Sequence, residues 1–216
     1  FKRALSFAKP LRLLFNQSVF TGCIPRDWKD SNINPIHKSG SRKLCNNYRP
    51  VALTSQIVKI LERILFDQLM SHVLKNNIIS CDQHGFQSGS SCITQLLETL
   101  NDWTKMWDLG IQTDVIYLDF SKAFDTVPFS RLQYKLKLYG ISGLIGDWVE
   151  SFLTDRRQRV LLRNGESYWK QVLSGVPQGS ILGPFLFLIY VNDLPKNVQN
   201  TAKLFADDSK LYSSII

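Results

Sequence analysis

Three aspartates interrupt apolar chain in a way that calls for a cation. Asp119 closes the run Val115-Ile-Tyr-Leu-Asp119, and Asp207 and Asp208 directly follow Leu204-Phe-Ala206. A carboxylate at the tip of a buried strand is costly unless something cationic compensates it. Two adjacent carboxylates at a tight turn repel each other and any third brought near them. Bound divalent cations relieve that repulsion, and hard oxygen ligands suit Mg²⁺, which binds through one or two carboxylates plus substrate phosphates. Carboxylates from two chain segments holding two ions is the arrangement of two-metal phosphoryl transfer. An Asp-Asp turn alone is an ordinary polar hairpin. The second apolar strand, ending in its own aspartate, is what weights the set toward a metal site.

Between these acids lies Ser174-Gly-Val-Pro-Gln-Gly-Ser-Ile-Leu-Gly-Pro184. Its Gly175, Pro177, Gly179 and Gly183 impose an unusual backbone path that lets main chain approach a ligand closely. The same segment starts a helix, with Ser180 as cap and Pro184 in the first turn of an apolar stretch over 185–191. A basic run, Arg156, Arg157, Arg159 and Arg163, precedes it; such a run either grips a nucleic-acid backbone or solvates a strand edge.

The elements that must position these residues are legible in part. Apolar spacing predicts helices over 4–20, 55–74, 91–109, 128–139 and 144–153. In the second, Ile57, Ile60, Leu61, Ile64, Leu65, Leu69 and Val73 form the expected buried stripe. In the third, Ile93, Leu96, Leu97, Leu100, Trp103 and Trp107 are expected inward. Strands are expected at 115–120 and 159–163, and at 203–206 and 209–212 across the Asp-Asp turn. Helices mixed with short strands imply an α+β fold with helices laid on an antiparallel sheet.

The 216 residues, 44% hydrophobic, suffice for a sizeable core. Ten basic against two acidic residues within the first fifty account for the whole net charge of +8, as in a basic lobe facing a polyanion. Cys23, Cys45, Cys81 and Cys92 have no zinc-ligand spacing and read as reduced thiols. No membrane span or signal peptide is evident, so an intracellular setting is expected. The chain starts without methionine and stops eight residues past Asp208, as a fragment would.

Taken in order, Tyr117-Leu-Asp-Phe-Ser-Lys-Ala-Phe-Asp125, Gly175-Val-Pro-Gln-Gly179 and Phe205-Ala-Asp-Asp208 resemble reverse transcriptases, most closely those of non-LTR retrotransposons of the jockey and LINE kind. Ile24-Pro-Arg-Asp-Trp28, Pro35-Ile-His-Lys-Ser-Gly40, Asn47-Tyr-Arg-Pro-Val-Ala-Leu53 and Gln83-His-Gly-Phe86 occur in the family's order and extend the likeness over roughly residues 20–212.

The resemblance implies an RNA-directed DNA polymerase with right-hand fingers and palm. Fingers and N-terminal helices would occupy 1–90, and the palm, a ferredoxin-like split βαβ sheet, 91–216. The thumb and the endonuclease would lie outside the chain, leaving the isolated fragment weakly active or inactive. Asp119, Asp207 and Asp208 match the catalytic, metal-binding triad for two Mg²⁺ ions, with Mn²⁺ as a substitute and the Phe120 carbonyl as a further ligand. Phe120, Ser121 and Lys122 would line the nucleotide's triphosphate, Phe124 would lie under its sugar, and Gln178 would border it. Arg49 and Lys38 match fingers residues that contact the triphosphate, and Asp125 a bracing acid. The implied partners are an RNA template, a DNA primer and deoxynucleotides, with action in the nucleus. Rival readings are a decayed or domesticated copy that binds nucleic acid without polymerising, and an intron-maturase-like palm polymerase.

Overall fold

The computed structural model describes residues 2–215, with side chains described from 6 to 215. Two helices, α1 (Lys2–Thr21) and the short α2 (Arg26–Lys29), lead into the hairpin β1 (Ser31–His37) and β2 (Tyr48–Leu53). Then come α3 (Gln56–Lys75), α4 (Cys92–Asp108), β3 (Thr113–Asp119), α5 (Phe129–Leu138), α6 (Gly143–Leu153) and β4 (Arg157–Leu162). Two-residue strands β5 (Gly165–Glu166) and β6 (Lys170–Gln171) are followed by α7 (Leu182–Val191) and the hairpin β7 (Thr201–Phe205) and β8 (Asp208–Ser214).

The strands form two sheets. The larger runs β2-β1-β4-β5 with β6 beside β4, and the smaller is antiparallel in the order β3-β8-β7. β1 and β4 pair in parallel, Asn32 opposite Arg159, so the larger sheet crosses the division expected at residue 90. The result is the expected α+β architecture.

β1 and β2 lie outside the strands expected from the sequence, and each contains a proline, Pro35 and Pro50. The two prolines stand opposite each other in the register. Facing pairs in an antiparallel ladder alternate between hydrogen-bonded and non-bonded, so two rings lacking N–H fit together at a non-bonded pair.

The core is built around α7. Leu182, Phe185, Leu186, Phe187, Leu188 and Ile189 are all essentially inaccessible, as expected of a helix apolar on every side. Burying six such side chains contributes on the order of 10 kcal/mol before entropy is counted. α3 supplies Leu61, Leu65 and Leu69, α5 Leu132 and Leu136, and α6 Trp148, Val149, Phe152 and Leu153.

Two expected helix faces are corrected. In α3 the buried stripe is Val58, Leu61, Glu62, Leu65, Leu69 and Val73, while Ile57, Ile60 and Ile64 are 41–49% exposed. In α4 the orientation is nearly inverted: Gln95 and Thr99 are buried, whereas Ile93, Leu97 and Trp107 are 61–83% exposed. Polar bonds decide the second case. Lys210 Nζ donates to Gln95 Oε1 at 3.0 Å, Tyr212 Oη donates to Asp102 Oδ2 at 2.6 Å, and Lys203 Nζ pairs with Glu98 at 3.0 Å. These bonds turn the polar face of α4 onto the small sheet.

Candidate active site

Strand register brings the three acids together. Asp119, the last residue of β3, faces Asp208, the first of β8, and Phe205 of β7 faces the same Asp208. Ala206 and Asp207 are therefore the two-residue turn, and all three carboxylates emerge at one end of the small sheet. Asp119 and Asp208 are exposed and Asp207 half-buried. Burial, then the neighbouring Asp208 and Asp119, push the Asp207 carboxyl above its ordinary range, while its own backbone amide and the Lys38 ammonium pull it down. Among the described residues no three His, Cys, Asp or Glu side chains converge closely enough to share one ion.

Phe120, Ser121 and Lys122 continue from Asp119 as an exposed turn, with Lys122 in the left-handed region at φ +51°. Among the described residues, the Ser121 and Lys122 amides donate to no protein acceptor. A 3-10 turn, Ala123–Asp125, follows. Phe124 stacks on Phe187 with ring centroids 4.3 Å apart and meets Phe86 edge-on at 6.0 Å.

The glycine loop lies against this turn. Val176 N–H donates to Phe124 O at 2.8 Å, and Ser174 Oγ donates to Asp125 O at 2.8 Å. Gly175 sits at φ +92°, and a Cβ there would lie 2.7 Å from Asp125 Cα, so only glycine allows the approach. Gln178 Nε2 donates to Asp125 Oδ1 at 2.9 Å while its carbonyl accepts from Ala52 N–H at 2.8 Å. Gln178 is thereby fixed from both sides, and Asp125 acts as its brace. Lys122, Asp125, Gln178 and Ala52 line a polar cleft of about 370 Å³ reaching to Arg156. Lys38 and Arg49 are exposed on the β1–β2 side, and Lys38 lies near enough to Asp207 to act on its carboxyl.

Ser180 Oγ accepts from Gly183 N–H at 2.8 Å, although the N-cap of α7 is Ile181. The remaining cap is Glu62 of α3, fully buried, whose Oε2 accepts from the Ile181 and Leu182 amides at 2.7 and 3.0 Å. A carboxylate at a helix N-terminus satisfies orphan donors and favours the macrodipole. The sequence signal for it was a lone acid within the stripe of α3.

The four arginines are not brought together on a free surface. Arg156 is 2% exposed, lies over the Phe152 ring and donates to Phe152 O at 3.1 Å. That places it in the scaffold, away from any phosphate backbone. Arg157 pairs with Asp30 at 2.6 Å and Arg159 with Glu166 at 2.7 Å, both with their guanidinium over Trp169. Arg163 is the exposed member. All four cysteines are free and exposed, and among the described residues no helix is long and apolar enough to cross a membrane.

The family model for reverse transcriptase (RNA-dependent DNA polymerase) matches residues 36–215, which hold every element of this site. The chain belongs to the reverse transcriptase family. It is 31% identical over 94% of its length to a probable RNA-directed DNA polymerase from transposon BS of Drosophila melanogaster. It is 32% identical over 92% of its length to the RNA-directed DNA polymerase from mobile element jockey of the same species. It spans 24% and 21% of those two relatives, so it corresponds to about a quarter of their length or less. Its fold is that of the telomerase from Candida tropicalis solved with a TWJ fragment of telomeric RNA, at TM-score 0.65 and 13% identity over 89% of this chain and 37% of that one. The reverse transcriptase fold and its non-LTR kinship, expected from the ordered motifs, are thereby established.

Proposed function

We propose that this chain is the fingers and palm module of an RNA-directed DNA polymerase of a non-LTR retrotransposon, acting in the nucleus on an RNA template, a DNA primer and deoxynucleotides. The observation that carries the reading is the meeting of Asp119, Asp207 and Asp208 at one end of the small sheet, beside a turn with unengaged amides. The palm is read in the small sheet with α4 and α7. The fingers are read in residues 1–90, joined by β4, β5 and β6 from the segment 91–216, because these strands belong to the larger sheet.

Three carboxylates of hard oxygen character fit Mg²⁺, and Mn²⁺ as its substitute, better than any softer metal. Asp119, Asp207 and Asp208 would hold two such ions with help from the Phe120 carbonyl. When bound, the ions would activate the primer 3′-hydroxyl and neutralise charge on the departing pyrophosphate. The protein's own share is positioning and charge stabilisation. The Ser121 and Lys122 amides, which donate to no protein acceptor among the described residues, would receive the triphosphate, and Lys38 and Arg49 would bring cationic groups to it. Gln178, braced by Asp125, borders the incoming base pair. Phe124, held between Phe187 and Phe86, presents a ring where a ribose 2′-hydroxyl would clash. Arg163, with the exposed parts of Arg157 and Arg159, would meet the primer–template backbone.

Primer extension on an RNA template by the polymerase carrying this chain tests the reading. Extension that requires Mg²⁺ is expected to vanish in Asp207→Ala, and its persistence would overturn the assignment.

A further inference from the structure

The turn bearing Asp207 is strained. Ala206 has φ +57°, the left-handed region, where an L side chain is strained relative to ordinary backbone. A two-residue hairpin turn normally puts glycine, asparagine or aspartate at such a position. An alanine stays there only if its surroundings over-determine it.

What over-determines it is one side chain from a distant loop. Gln83, 2% exposed, accepts the Ala206 amide on Oε1 at 2.9 Å, and its Nε2 reaches the Ala206 carbonyl at 3.4 Å. The same Oε1 accepts the Gly85 amide at 2.7 Å. The side-chain amide thus pairs with both polar groups of Ala206 as a neighbouring strand would. The loop's backbone is locked alongside as well: His84 N–H donates to Leu204 O at 2.9 Å, and Leu204 N–H donates to Asp82 O at 2.8 Å. A Cβ on Gly85 would lie 2.3 Å from the Ala206 nitrogen, so the loop is seated directly on the turn. Lys203 latches it from outside through Asp82 at 2.9 Å.

We infer that Gln83 is the positioning residue of the acid pair: its amide holds Ala206 in the left-handed conformation and thereby sets where the Asp207 and Asp208 carboxylates point. The inference rests on the metal-dependent polymerase reading above and deepens it. Rotation of the Ala206 peptide swings the residue that follows it. A metal-binding constellation tolerates only about 0.5 Å of misplacement. Burial makes the hold firm, because neither the Gln83 amide nor the Ala206 amide can turn to water instead.

The test measures Mn²⁺ binding to the 216-residue chain by the electron paramagnetic resonance of the free ion, with circular dichroism confirming the fold. Gln83→Met keeps the side chain's length and removes both bonds. It should weaken Mn²⁺ binding roughly 10- to 100-fold, the usual effect of losing a group that orients metal ligands. Gln83→Asn, which keeps the polarity but falls one methylene short of Ala206, should act in the same direction and serves if the methionine variant does not fold. Adding Ala206→Gly to either should recover much of the loss, since glycine takes this conformation without strain. A role confined to packing predicts no such rescue. Unchanged Mn²⁺ affinity in a folded Gln83 variant, or a loss that Ala206→Gly does not relieve, overturns the inference. Asp207→Ala separates the two levels. If it weakens Mn²⁺ binding and the Gln83 variants do not, only the role of Gln83 falls. If the wild-type chain binds no Mn²⁺, or Asp207→Ala binds it unchanged, the metal site falls and the inference with it.

Discussion

Glu62→Ala should be among the most damaging single changes in the molecule, although Glu62 is remote from the chemistry. Its Oε2 is the acceptor for the amides of Ile181 and Leu182, and it is completely buried. Each donor orphaned in the interior costs about 1–3 kcal/mol. The change also removes a charge that acts on Arg156: burial pulls the Arg156 guanidinium down to about 10, with Glu62 the main charge opposing that shift. With two donors orphaned, Glu62→Ala should cost about 2–6 kcal/mol. Urea unfolding followed by tryptophan fluorescence reads it directly, since Trp148 lies in the core beside Arg156's partner Phe152. Glu62→Gln keeps an acceptor for α7 but removes the same charge, so at neutral pH it should cost less than Glu62→Ala by about the 1–3 kcal/mol of an orphaned donor. The pH dependence has a definite sign. Burial raises the Glu62 carboxyl in the folded state, so the folded protein holds that proton more tightly than the unfolded chain. The corresponding stability is present below the unfolded carboxylate value and is lost as pH rises through the folded one. The wild type should therefore lose stability relative to Glu62→Gln across that interval. A cost below about 1 kcal/mol for Glu62→Ala, or the opposite slope, would refute the reasoning.

Other outcomes follow from the same geometry. Gly175→Ala forces a Cβ against the Asp125 backbone at a left-handed position, and should raise the deoxynucleotide KM while destabilising the fold by about 1–3 kcal/mol. Asp125→Ala frees Gln178 and should also raise that KM, with a stability cost of about 1 kcal/mol in urea unfolding. Phe124→Val should increase ribonucleotide incorporation in single-nucleotide extension, because it removes the ring that Phe187 and Phe86 hold in place.

The approach of the three acids was legible because its signal is local, an apolar strand ending in Asp119 and an acid pair between two short strands, although the turn itself is Ala206 and Asp207 where the two acids were expected. The glycine loop was legible for the same reason, and the brace Asp125 sits within that motif. What could not be read was which face a helix turns inward. The apolar stripe of α4 shows where its apolar face is, but bonds from Gln95 and Asp102 to β8 decide what it docks against, and those partners lie over a hundred residues away. The stripe of α3 failed for a related reason, since Glu62 faces inward only because α7 needs a cap. β1 and β2 each contain a proline, and no single strand reveals the register that sets the two opposite each other. The basic run read from Arg156 to Arg163 mixed one interior residue with surface ones, because charge alone does not show burial.

On this reading Asp119, Asp207 and Asp208 form the metal site of a template-directed DNA polymerase. The most direct measurement is single-turnover deoxynucleotide addition to a DNA primer on an RNA template, by the polymerase carrying this chain, as a function of Mg²⁺. Mg²⁺-dependent addition is expected of the wild type and none of Asp119→Ala or Asp207→Ala, with primer–template binding retained in both. Addition at the wild-type rate by either variant would contradict it.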